Sequence, residues 1–182
     1  MRRRHLRTTI ALAVAAAAVA VPLTAISLAS AGGDGSMTAI AKSATVRFHS
    51  LLAAKAAGWS SVVKNVKGAT CIANEPVGAM GVHYANPKYL GDAKLGATKP
   101  EALVYAPSKN GKLQLAALEY IVFKSAWTGA GHTGAPKLFG QQFAFTPKPN
   151  VFGIPAFYSL HVWLWQTNLA GVYKPWNPGV HC

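Results

Sequence analysis

The sequence has 182 residues, with 18 Lys and Arg against five Asp and Glu, a formal charge of +13 and two cysteines. Fourteen of the basic residues follow the first 31 positions, and thirteen of these are lysines set singly from Lys42 to Lys174. Without a basic run or an arginine fork this argues against a specific nucleic-acid site, and it leaves a solubilising surface with weak attraction to an anionic cell envelope.

The N-terminus reads as an export signal over residues 1–31. Arg2, Arg3, Arg4 and Arg7 precede an uninterrupted apolar stretch from Ile10 to Val21, Pro22 breaks it, and Ala29-Ser30-Ala31 has the small-x-small form that signal peptidase accepts. Cleavage is expected after Ala31, with residues 32–37 as a flexible mature N-terminus. The alternative is a retained anchor, because Ile10 to Leu28 approaches the length of a membrane span. Removing the signal takes four of the eighteen basic residues and none of the five acidic ones, so the charge falls to +9. The remainder, 38–182, is long enough for one domain and too short for two of ordinary size.

In chain order, Thr38 to Val63 predicts one helix, with Ile40, Ala44, Phe48, Leu51, Leu52 and Ala56 at helical spacing. Gly58 weakens its end, and Trp59 to Val63 turns extended. An even cysteine count in an exported chain favours a disulfide between Cys71 and Cys182, tying the chain end to its middle. Strands are predicted at Ala79 to Tyr84, Ala102 to Tyr105, Leu113 to Phe123 and Phe157 to Gln166. Asn110-Gly111 marks a hairpin turn between the second and third. The link from Lys124 to Ala156, rich in Gly and Pro, is expected to be an irregular surface loop or lid. A helix followed by a mainly antiparallel, curved sheet makes an α+β domain, for which cystatin-like and NTF2-like cones are analogies of element order alone.

Polar residues embedded in apolar strands supply the candidate site. His161 shares a face of its strand with Ser159, Trp163 and Trp165, and His83 lies within Ala79 to Tyr84. Glu119 stands alone inside Leu113 to Phe123, and Glu101 opens the strand before it. A carboxylate there costs several kcal/mol unless it is paired, protonated or ligated. Should the sheet set these strands side by side, His83, Glu119 and His161 offer two imidazoles and a carboxylate to a divalent first-row metal such as zinc, copper or iron. Glu101 is a fourth ligand or an acceptor for a ligating imidazole. Met80, otherwise core, would suit copper. No spacing motif supports the set, so two other readings stay open: buried Glu–His pairs that fix the register, and a proton-transfer pair acting on an organic ligand. Trp163, Trp165 and the aromatics of the C-terminal stretch offer a stacking platform for a flat ligand, or else a terminal segment pinned over the core.

The motifs Gly78-Ala79-Met80-Gly81-Val82-His83-Tyr84, Pro100-Glu101-Ala102-Leu103-Val104-Tyr105, Leu118-Glu119-Tyr120, and Leu160-His161-Val162-Trp163-Leu164-Trp165 through Trp176-Asn177-Pro178 to Cys182 resemble a family of small exported bacterial proteins of unassigned function. The resemblance covers most of residues 40–182 and departs at Leu169, where a proline is expected. It implies export and one domain, and supplies no activity. The functional expectation is therefore an exported, secreted or periplasmic binding domain for a metal or small molecule. A metal-assisted hydrolase or oxidoreductase on the same residues, and a ligand-free envelope protein, are the alternatives.

Overall fold

A computed structural model describes residues 31–182, so the export signal expected over residues 1–31 lies almost wholly outside the described residues. Among the described residues no helix is long and apolar enough to cross a membrane.

The N-terminal helical region is two helices rather than one. Helix α1 spans Ala31–Thr45 and takes in residues 32–37, where the sequence predicts a flexible segment. Thr45 turns its hydroxyl back onto the Ala41 carbonyl at 2.8 Å, a bond that competes with helix continuation, and a single 3-10 turn, Val46–His49, follows. Ser50 then caps helix α2, Leu51–Ala56, by accepting the Ala53 amide at 3.3 Å. The break rotates Phe48 into the core while Ala41 and Ala54 stay packed against the sheet. Gly58, at φ +106, ends α2 in a conformation that other residues rarely adopt.

The sheet has seven strands, all antiparallel: β1 (Ser61–Val62), β2 (Cys71–Asn74), β3 (Gly78–Ala85), β4 (Ala102–Pro107), β5 (Leu113–Phe123), β8 (Ala144–Thr146) and β9 (Phe157–Val162). Their order is β1-β3-β4-β5-β9-β8, and β2 takes the other half of the β3 edge that β1 occupies. The Asn110-Gly111 turn joins β4 to β5 as the sequence predicts, with Gly111 at φ +75. The short helix α3, Pro87–Leu90, starts the connection from β3 to β4.

Two segments differ from the sequence expectation. The last strand stops at Val162 instead of reaching Gln166, because the Trp163 amide leaves the ladder for the Val172 carbonyl and the Trp165 and Gln166 amides then converge on the single Ala116 carbonyl of β5. The Lys124–Ala156 link is not an irregular lid. It holds helix α4 (Lys124–Gly129), a small hairpin of β6 (Lys137–Leu138) and β7 (Gln141–Gln142), and the sheet strand β8. Phe139 and Phe143 from this link belong to the main core.

Period-two alternation divides the sheet's faces. Tyr84, Leu103, Tyr105, Leu118, Tyr120, Leu160 and Val162 form the main core with the helical layer. The opposite face carries two smaller apolar clusters. One is built on Ala79, Val104, Ala116 and Trp163, and it takes Val180 from the C-terminal segment; the other is built on Ala85, Ala102, Ile121 and Phe157. That C-terminal segment is pinned there by a backbone bridge between Ala79 and Asn177 and by the disulfide Cys71–Cys182, whose Cα atoms are 5.7 Å apart. Gly78 lies directly beneath it, and a Cβ at this position would collide with the Asn177 carbonyl.

Candidate metal centre

Between the two apolar clusters of the second face lie three buried polar side chains: His83 from β3, Glu119 from β5 and His161 from β9. The register brings them together. Glu119 is the direct cross-strand partner of both His161 and Ala102, and Ala102 is in turn the partner of Ala85. His83 therefore approaches from a strand that does not touch β5. Strands two apart are separated by roughly 10 Å, and the two side chains meet diagonally across β4, where Val104 is the partner of His83 and the small Ala102 that of Glu119.

The Nε2 atom of His83 lies 3.1 Å from Oε2 of Glu119, and Nδ1 of His161 lies 3.3 Å from its Oε1. The two imidazoles meet edge to face with centroids 5.3 Å apart. One potential ligand atom from each residue lies within 4.8 Å of the other two, so the cluster can hold a metal ion. The contact from His83 is close without the alignment of a hydrogen bond. Both its ring nitrogens, and Nε2 of His161, are buried with no hydrogen-bond partner.

Burial acts to raise the Glu119 carboxyl. The neighbouring His161 and then His83, with the close contact from His161 Nδ1, outweigh it and hold the group well below the usual carboxylate range. A carboxylate and, once an ion takes the place of any imidazole proton between them, one lone pair from each ring form a hard and borderline donor set suited to zinc, iron or copper.

The structure sets Glu101 apart from this group. The alternation that puts Ala102 on the triad's face puts Glu101 on the opposite one, where its carboxylate accepts the Ile121 amide at 2.9 Å. Burial pushes its pKa up to about 8 against that hydrogen bond. It is a neutral buried acid over most of the physiological range, held by backbone, and it is not a fourth ligand.

Trp163 stacks on His161 with centroids 5.8 Å apart and donates its Nε1–H to the Lys174 carbonyl at 2.7 Å. At 4 % exposure it is a wall that fixes the imidazole, with no open face for a flat ligand. Trp165 packs edge-on against His49 and under the Lys42 ammonium, away from the triad. The C-terminal aromatic stretch is the pinned segment of the two alternatives, with Asn168 donating to the Lys174 and Trp176 carbonyls.

Two cavities flank the triad. One, about 230 Å³, is lined by His83 and Glu119; the other, about 330 Å³, is lined by His161 and Met80, and Phe152 lines both. Lys64, Phe152 and Ile154, which line the first, lie outside the predicted strands and carry no periodic signal. Ile121 and Phe123, which also line it, share Glu119's face at period two. No family model, curated protein or solved structure matches the chain.

Proposed function

We propose that this is an exported metal-binding protein whose single ion is held by His83, Glu119 and His161. The observation that carries the reading is a deficit of hydrogen bonds. Among the described residues, four buried side-chain nitrogens or oxygens have no partner, and three of them are the ring nitrogens of His83 and His161. Each such atom costs about 1–3 kcal/mol. The competing reading, Glu–His pairs that merely fix the sheet's register, satisfies Nδ1 of His161 and leaves those three atoms unexplained. An ion held by the two nitrogens that face Glu119 removes the penalty at Nε2 of His83 and uses the Nδ1 lone pair of His161.

The spacing is of the right order. Two ligands at about 2.0–2.1 Å from a tetrahedral ion stand about 3.3 Å apart; the imidazole nitrogens lie 3.1 and 3.3 Å from the two different oxygens of Glu119, and the three ligand atoms lie within 4.8 Å of one another. Three protein ligands leave a coordination position for water or a ligand, which is the arrangement of a working site rather than a structural one. Zinc and iron match the donor set, and Met80, on the cavity beside His161, adds a thioether that favours copper. The disulfide supports an oxidising compartment, in keeping with the export signal read from the N-terminus and with the resemblance to small exported proteins.

The test is elemental analysis of protein recovered from the exported fraction without an affinity tag. About one equivalent of one first-row metal is expected, and it is lost in His83→Ala and His161→Ala. Wild-type protein that carries no metal, and takes up none of zinc, iron(II) or copper at micromolar concentration, would overturn the reading.

A further inference from the structure

The cavity on the His83 side has a polarity gradient that metal binding alone does not use. Its polar end is made by His83, Glu119 and Lys64. Lys64 belongs to that end because the preceding residue, Val63, donates its amide to the His83 carbonyl at 3.0 Å. From Glu119 along β5 the same face continues through Ile121 to Phe123, which pairs with Phe157 on β9, and all three side chains line the cavity. Phe152 and Ile154 close it from the segment before β9. One end is therefore charged and the other is hydrocarbon.

Size and charge narrow the occupant. An apolar cavity of about 150 Å³ holds benzene, so about 230 Å³ takes one ring or a chain of similar bulk with a short substituent. With a divalent ion on two neutral imidazoles and the Glu119 carboxylate, the polar end carries one net positive charge, and the Lys64 ammonium adds a second. That end is complementary to one anionic headgroup and repels an ammonium.

Resting on the metal reading of the triad, we propose that this cavity binds a small arylalkyl or alkyl monocarboxylate. Its carboxylate lies at the ion's remaining position and near Lys64, and its hydrocarbon lies along Ile121, Phe123 and Phe157. This assigns the site a ligand class. A carboxylate ligand bound at a metal is stabilised by the ion while its apolar body leaves water, so each end contributes and each can be removed separately.

The experiment titrates metal-loaded protein with phenylacetate and hexanoate, with benzylamine as the cationic control, followed by calorimetry and by amide chemical shifts. Both carboxylates are expected to bind and to shift the Ile121, Phe123 and Phe157 amides, and benzylamine to bind at least about tenfold more weakly. Ile121→Trp, which fills the cavity, should abolish binding while the protein still takes up its ion; Ala85→Leu serves the same purpose should the Trp variant fail to fold. Lys64→Met, at an exposed position on the cavity rim, should weaken the carboxylates several-fold. If the protein takes up no ion yet phenylacetate still shifts these amides in a Lys64-dependent way, the cavity assignment stands and the metal reading falls. If the ion is bound and neither carboxylate shifts these amides, or benzylamine binds equally well, the cavity assignment is overturned and the metal reading stands.

Discussion

His83 and Glu119 come within 3.1 Å of each other across a strand that belongs to neither, and the partner of Glu119 on that strand is Ala102, fully buried. The room Glu119 has to reach across therefore depends on a methyl group. Ala102→Leu inserts three carbons beside the Glu119 side chain, and overpacking of this kind costs about 1–3 kcal/mol. The variant should remain folded by circular dichroism and lose metal affinity by at least about tenfold, since a ligand displaced by an ångström no longer reaches the ion. Metal affinity equal to wild type in a folded Ala102→Leu protein would mean that His83 and Glu119 do not act on a common ion.

Metal and stability are linked through the same atoms. An ion present at about 100 times its Kd adds about 2.7 kcal/mol to the folded state, which for a chain of this size is a rise of about 5–10 °C in Tm. Chelation of the native protein should lower Tm by that amount, with recovery on adding back the metal. In His161→Ala the chelator should have no effect. A wild-type Tm indifferent to chelator and to added metal would sink the linkage.

The elements that define the site were legible in the sequence because they are strands of period two with one intruding polar residue each. His83, Glu119 and His161 stand out for that reason, and the sheet order places all three on one face. Glu101 looks equivalent in a linear reading, yet it sits one position before Ala102, and a shift of one residue along a strand moves a side chain to the other face. The helix break at Val46–Ser50 was hidden because the apolar spacing continues through it, while the cap made by Ser50 is a matter of backbone direction. The core role of Phe139 and Phe143 was invisible for the opposite reason. They are isolated among Gly, Pro and Gln, and only tertiary packing against Tyr120 and its neighbours gives them a place. The cavity's far wall, Phe152 and Ile154, comes from the same segment.

Glu101 makes its own prediction about pH. Its carboxyl titrates near 4.5 in the unfolded chain and near 8 in the folded one. Between those values the unfolded state has released the proton that the folded state retains, so stability from this group is complete below about pH 4.5 and falls as the pH rises toward 8. Glu101→Gln keeps an acceptor for the Ile121 amide and removes the titration. Relative to wild type it should be stabilised by ~2–4 kcal/mol at pH 8.5 and by little at pH 4.5, read from urea midpoints at the two values. Midpoints that differ by the same amount at both pH values would show that the buried acid does not titrate in this range.

The disulfide holds the C-terminal segment over the sheet, while the triad is held by the strands themselves. Cys71 and Cys182 are 111 residues apart, and a loop of about that length is worth ~4–5 kcal/mol in the chain-entropy model. Replacing both with serine should lower the urea midpoint by up to that equivalent and speed amide exchange at Asn177 and Val180, whose amides bond to the Ala79 and Asn177 carbonyls. Metal uptake should persist at temperatures well below the variant's Tm, because His83, Glu119 and His161 keep their register through β3, β5 and β9 and not through the terminal strap. Loss of the ion from a folded double-serine variant would show instead that the strap, acting through Ala79 and the Trp163 wall behind His161, is what positions the ligands.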